Sequence, residues 1–191
     1  LCSLIKRGIS PVYVENEGIE VINQKCIRHH KIDMTLARRH NINKKSVNAE
    51  KYIQLGDVLV NSTGVGTLGR VAQVRHIVEG NVTVDSHVTI VRPKPDLFFI
   101  DFFGYALIKI EGEIAKSGTG SSGQTELART KLQDNFLVSY PSSFEEQKRI
   151  VKLLDSIEEI TSSLKFNFQE ELGSLDELKE SILDKIFKGE L

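Results

Sequence analysis

The last forty-eight residues constrain this chain more than any other stretch. "FEEQKRIVKLLDSIEEITSSLKFNFQEELGSLDELKESILDKIFKGEL" (144–191) follows Ser142 and Ser143, either of which can cap a helix. Glu145 and Glu146 then sit in the first turn, where the helix dipole favours acidic groups. Ile150, Leu154, Ile157, Leu164, Phe168, Leu175, Leu178 and Ile182 recur at spacings of three, four or seven, a heptad-like seam that Thr161 and Glu171 interrupt. A helix of about 45 residues is about 65–70 Å long at 1.5 Å per residue. A compact domain built from the rest of the chain cannot cover a seam of that length. The seam therefore calls for another helix, from a partner or from a second copy. Gly173 leaves one alternative, two shorter helices that fold back on each other.

The boundary falls near Pro141, giving a head at 1–143 and a helical region at 144–191. The head mixes glycines with short β-branched runs. "GIEVIN" (18–23), "DVLVN" (57–61), "GRVAQV" (69–74), "NVTVDSHVTIVR" (81–92) and "NFLVSYP" (135–141) read as strands. "DLFFIDFFGYALIKIEGEIAKS" (96–117) carries apolar residues at helical spacing and reads as one buried helix. The expected fold is therefore α/β (α+β): a globular head with a twisted sheet of mostly short strands, then one long C-terminal coiled-coil helix. At 191 residues, 40% of them hydrophobic, the chain suits one or two domains with a real core. Two cysteines supply no disulfide framework, which points to a reducing compartment, the cytoplasm. No apolar run reaches the length of a membrane span. The first residue is Leu1 rather than Met, which suggests native residues ahead of it.

A net charge of −1 conceals an uneven distribution. Residues 1–143 hold 18 Lys and Arg against 14 Asp and Glu, whereas residues 144–191 hold 7 against 12. Within residues 1–52 the basic residues outnumber the acidic by 10 to 5. A basic head on an acidic tail suits an anionic partner for the head, although an uneven solvated surface would look the same.

Two glycine-rich stretches invite a nucleotide reading. "SGTGSSGQT" (117–125) has the glycine spacing of a phosphate loop, but Gln124 stands where the lysine belongs. The segment before it also reads as a helix rather than a buried strand. "GVGTLG" (64–69) has dinucleotide-site spacing, but strand-forming Arg70–Val74 follows where a helix is required. Both read better as polar loops, the second of them hairpin-like. Cys26, His29 and His30 lie close together without a second ligand pair at zinc spacing, so no metal site is expected. No nucleophile elbow or paired-carboxylate motif stands out, and no catalytic residue is assigned.

A set of polar and basic groups remains. Asn61, Ser62, Thr63, Thr67, Thr119, Ser121, Ser122, Gln124 and Thr125 are short polar groups able to meet base edges or phosphates. Arg28, Lys44, Lys45, Arg70, Lys116 and Arg129 are candidates for phosphate contact.

The order of these pieces resembles the DNA-specificity subunits of type I restriction-modification systems. "GIEVINQKCIR" (18–28) looks like that family's early strand, and "GDVLVNSTGVGTLGRVAQV" (56–74) is similar to its Gly-Asp strand and polar loop. "SGTGSSGQTELARTKLQDNFLVSYPSSFEEQKRIVKLLD" (117–155) matches its most recognisable signature, and "ILDKIFKGEL" (182–191) resembles the end of its conserved helical region. The resemblance implies that the head is a target-recognition domain reading one half of a split site in double-stranded DNA. It implies a helix that packs antiparallel against a second such helix and docks methyltransferase subunits. Those subunits would bind S-adenosylmethionine and methylate adenine, and restriction subunits, where present, would use ATP and magnesium. This chain would bind no cofactor and catalyse nothing.

The family generally has two recognition domains and two helices in one chain, and this sequence has one of each. It is expected to be either a half-length subunit that pairs with a second copy of itself or one half of a longer protein. Two other readings stay open. One is a coiled-coil adaptor whose head binds protein; the other is an enzyme with a degenerate nucleotide site.

Overall fold

A computed structural model describes residues 1–76, 79–120 and 125–190. The chain divides into two compact units, Leu1–Lys148 and Arg149–Leu191.

Three small sheets build the first unit. The first is antiparallel and orders its strands β1 (Cys2–Arg7), β10 (Val88–Pro93), β7 (Val58–Asn61) and β8 (Val71–Gln73). The second orders β2 (Tyr13–Val14), β6 (Arg38–His40), β3 (Ile19–Ile22) and β9 (Val82–Val84), with β3 and β9 parallel. The third is a hairpin of β4 (Ile27–Arg28) and β5 (Lys31–Ile32). The expected single sheet is thus several, and the 81–92 stretch shows why. It supplies a strand to each of the two larger sheets, and the turn Asp85–His87 between them joins the sheets, with Asp85 bonding back to Ile22 and Val88 to Asp85.

All residues of β7 and β8 are buried. Helix α1 (Phe102–Lys109) packs against both strands, and β4 and β5 pack against β8, so neither face is left to water. That double burial is why "VLV" runs apolar without alternation. The core gathers Ile22, Cys26, Ile27, Leu59, Ala72 and Ile90, drawn from all three sheets.

Two expectations need correction. The 96–117 stretch is two helices, α1 and α2 (Glu111–Lys116), broken at Ile110, whose N–H bonds to Leu107 and Ile108 instead of continuing the α-helical ladder. β-branched Ile108 and Ile110 and the nearby Gly112 all lower helix propensity at that break. Residues 135–141 form no strand. They alternate half-buried and exposed positions, with Leu137 90% exposed, but no neighbouring strand supplies a ladder. Before them lies a short helix, α3 (Arg129–Asp134), that the sequence reading did not anticipate.

The long helix α4 (Phe144–Lys188) has 45 residues and runs unbroken through Gly173, so the fold-back alternative does not occur. Ser143 caps it through Oγ, which accepts the N–H of Glu146 at 3.4 Å. Its first turn is anchored by Gln147, which is fully buried. The Gln147 amide donates to the carbonyls of Leu97 (3.0 Å) and Pro141 (2.7 Å), and its Oε1 accepts the N–H of Phe99 (2.7 Å). Of the seam residues, Ile150 and Leu154 are half-buried, while Ile157, Leu164, Phe168, Leu175, Leu178 and Ile182 are exposed. No helix among the described residues is long and apolar enough to cross a membrane.

Candidate nucleic-acid interface

The polar loop 61–70 is the connection between antiparallel β7 and β8, a hairpin as its sequence suggests. Its base is closed by mutual backbone bonds: Asn61 N–H to Arg70 O (2.9 Å) and Gly69 N–H to Asn61 O (2.8 Å). Gly64, Gly66 and Gly69 take left-handed φ values of 103°, 72° and 87°, which let the chain turn tightly there. Gly69 has a second constraint. A Cβ at that position would meet the Cα of Ala115 in α2 at 2.6 Å, so only glycine lets the loop lie on this helix.

The two glycine-rich loops meet. Thr63 pairs with Glu126, and Thr119 pairs with Glu126 in turn. Gly64 N–H donates to Thr125 O at 3.2 Å, and Leu127 N–H donates to Ser62 O at 2.8 Å. Arg7 holds this seam from the side, 2.6 Å from the Glu126 carboxylate and donating to the Leu127 carbonyl at 2.8 Å. The stretch leading into the second loop is α2, a helix rather than a buried strand, as the failed phosphate-loop reading requires.

The sequence-selected residues fall into distinct places. Asn61, Ser62 and Thr63 are buried, and their side chains are engaged inside the fold. The Asn61 amide donates to Gln24 O at 3.0 Å, Ser62 shares a hydrogen bond with Thr89, and the Thr63 hydroxyl lies 2.7 Å from His87 Nδ1. Thr67 is half-buried and its hydroxyl donates to Thr63 O at 3.1 Å. Arg70 donates to Gly66 O at 2.9 Å, which braces the loop tip. Thr119 and Lys116 are exposed and Thr125 is half-buried beside them. Arg28 is exposed on the β4–β5 hairpin. Lys44 and Lys45 are exposed on a separate turn, where Lys45 donates to Ser10 O at 2.9 Å. Arg129 starts α3 and lines a cleft of about 500 Å³ between β1, α1 and α3. Ser121, Ser122 and Gln124 lie outside the described residues.

Sequence reasoning passed over several groups that belong to this surface. Gln24 lies under the loop, within 3.4 Å of Thr67 Oγ1. His87 reaches it from the turn that joins the sheets. Val65 stands 71% exposed at the tip between two glycines. Only Val65 left a signal, an apolar residue inside an otherwise polar loop. Gln24 and His87 come from distant turns that only the sheet topology brings close.

Two buried groups support the surface. Asp85 accepts the N–H of His87 at 2.9 Å and is bonded by Tyr13. Burial pushes its carboxyl above the ordinary value of 3.8. The Cys26 thiol is also pushed up by burial and accepts the N–H of Asn23 at 3.4 Å. It is fully buried while His29 and His30 are exposed, so the three do not converge. Among the described residues no group of three His, Cys, Asp or Glu could hold a metal ion.

Residues 10–173 match the type I restriction modification DNA specificity domain family. The chain belongs to that family. No curated protein matches it significantly. Among solved structures, the specificity domain is similar to a chain from work on complex assembly and conformational transition of a type I restriction-modification system (24% identity, TM-score 0.73), covering all of this chain and 44% of that one. It is similar to the HsdS subunit of Thermoanaerobacter tengcongensis (23%, TM-score 0.58), covering 98% of this chain and 43% of that one. It is also similar to the type I S subunit of M. genitalium (16%, TM-score 0.54), covering 82% and 36%. The domain thus has the fold of these subunits, mixed α/β with a long C-terminal helix, and spans less than half of their length.

Proposed function

We propose that this chain recognises DNA for a type I restriction-modification system, reading one half of a bipartite site through its head. The observation that carries this reading is the joining of the 61–70 loop to Thr125, Glu126 and Leu127, with Thr119 paired to Glu126, in a chain of the specificity-domain family. On that surface Thr119, Thr125, Val65, Lys116 and the exposed backbone of Gly66 meet the DNA. Asn61, Ser62, Thr63 and Thr67 shape the loop from within, and Arg28, Lys44, Lys45, Arg70 and Arg129 contribute positive charge. Backbone N–H and hydroxyl groups suit phosphates and base edges, and the Val65 side chain suits a thymine methyl.

The chain performs no chemistry in this reading. Methyltransferase subunits, docked along α4, supply S-adenosylmethionine and methylate adenine; restriction subunits, where present, use ATP and magnesium. The exposed seam of α4 packs antiparallel against a second helix of the same kind, from another copy or from the other half of a longer protein. A two-fold pair would read inverted half-sites, with helix length setting their separation.

The test is a methylome. The chain is expressed with its neighbouring methyltransferase in a methylation-free bacterial host, and modified adenines are mapped by long-read sequencing. A split motif supports the reading; inverted-repeat halves mean self-pairing, and unlike halves mean a second, different recognition domain. No modification, with the methyltransferase expressed and soluble, favours the adaptor instead.

A further inference from the structure

The β4–β5 hairpin turns through His29 and His30, with φ values of 50° and 61°. They are the two non-glycine residues with left-handed φ among the described residues. A two-residue turn of this hand favours Asn-Gly or Gly-Gly, because a Cβ is costly in that region. The chain keeps two imidazoles where smaller residues would be less strained. Strain held at an exposed tip by other contacts is a pointer to use of the side chains.

The tip is held. His30 Nε2 lies 2.6 Å from Glu111 Oε2, at the first residue of α2. The six residues of α2 rise about 9 Å and deliver the chain to Ser117, the start of the second polar loop. Gly69 of the first loop packs on Ala115 along the way. One short helix therefore carries the hairpin tip at one end and the polar loops at the other. His30 spends its imidazole on the tether, and Glu111 spends its carboxylate. His29 is exposed at the same tip, next to exposed Arg28.

We infer that His29, fixed by the His30–Glu111 tether and accompanied by Arg28, is a contact to a phosphate of the target DNA. The inference rests on the DNA-recognition reading and extends its surface from the polar loops along α2 to the hairpin. Even a neutral imidazole carries one N–H donor suited to a phosphate oxygen. A phosphate contact adds affinity and fixes register without choosing bases.

The test uses the chain co-purified with its methyltransferase and a duplex carrying the mapped motif. His29→Gly removes the imidazole and suits the left-handed turn, so the melting temperature should hold or rise. Affinity for the duplex should fall about ten-fold, the equivalent of one charge-assisted hydrogen bond, with the methylated motif unchanged. His29→Asp, which also tolerates the turn but brings a carboxylate in place of a donor, should lose at least as much. Unchanged affinity in both variants overturns the inference and leaves DNA recognition standing. A parent complex that binds no DNA overturns both.

Discussion

Asp57 shows how a residue that looks like part of a motif can be purely architectural. It follows Gly56 in the Gly-Asp strand, but its side chain, 1% exposed, takes both Nε and Nη2 of Arg92 at 2.7 Å, and the N–H of Gln54 as well. Arg92 stands on the neighbouring strand and also donates to Tyr52 O. Removing one partner leaves a buried charge without compensation, so Arg92→Ala should cost about 3–5 kcal/mol, read by chemical denaturation. Asp85 behaves oppositely. Its carboxyl is raised by burial, so the native state holds the proton more tightly than the unfolded chain. Its contribution to stability is full below the unfolded value of 3.8 and falls as pH rises through the raised folded value. Asp85→Asn removes that dependence, and its melting temperature should gain on the parent as pH rises above about 4; a difference that stays constant with pH would show that Asp85 holds its proton no more tightly in the folded chain. Part of the candidate site was legible at this scale, since both polar loops stand out by composition and glycine spacing. The division of labour within them was not. Asn61, Ser62 and Thr63 read as loop-tip polar groups but are buried, because β7 carries its inward-facing run to Asn61 before the chain turns.

At the scale of elements, α4 was the most legible part, because its capping serine, acidic first turn and apolar recurrence all agree. Its anchor was less obvious. Gln147 sits inside the Glu-Gln-Lys-Arg stretch like any polar helix residue, yet it satisfies three backbone groups at the helix start. Gln147→Ala should lower stability by about 3 kcal/mol or more, since it orphans three groups and each costs about 1–3 kcal/mol when buried. Gln147→Glu should not rescue it, because a carboxylate cannot donate to Leu97 and Pro141. The short elements were hidden for the opposite reason. β2, β4 and β5 have two residues each, too few for any periodicity, and residues 135–141 have the alternation of a strand without a neighbour to pair with. Strand formation depends on a partner that local sequence does not specify. The same logic bears on the seam of α4, where Leu164 and Phe168 are exposed and pairing with a facing helix is proposed. Leu164→Asp should leave the melting of the head unchanged and weaken association through the helix, measured by analytical ultracentrifugation of the chain with its methyltransferase.

At the scale of the whole molecule, DNA recognition as proposed would require a chain of net charge −1 to hold a polyanion. The bulk charge cannot do it, so affinity must come from where the cations stand. The acidic excess belongs to residues 144–191, away from the head's loops in sequence, and the basic residues offered for contact lie on the hairpin, the 41–45 turn, the end of the 61–70 loop, the end of α2 and the start of α3. Each phosphate neutralised releases counterions and adds about 0.9 to the slope of log affinity against log salt. This separates two kinds of residue in one experiment. Lys116→Ala, or Lys44→Ala, should lower affinity equally on all sequences and reduce the slope by about 1 if that lysine holds a phosphate. Thr119→Val removes a hydroxyl but no charge. It should leave the slope unchanged and relax preference at one position of the motif, by about 1–3 kcal/mol if the hydroxyl bonds a base edge. A slope that falls for Thr119→Val, or a sequence preference that moves for Lys116→Ala, would mean that the polar loops position the DNA and the lysines read it. That would reverse the roles drawn here while keeping the surface on which both act.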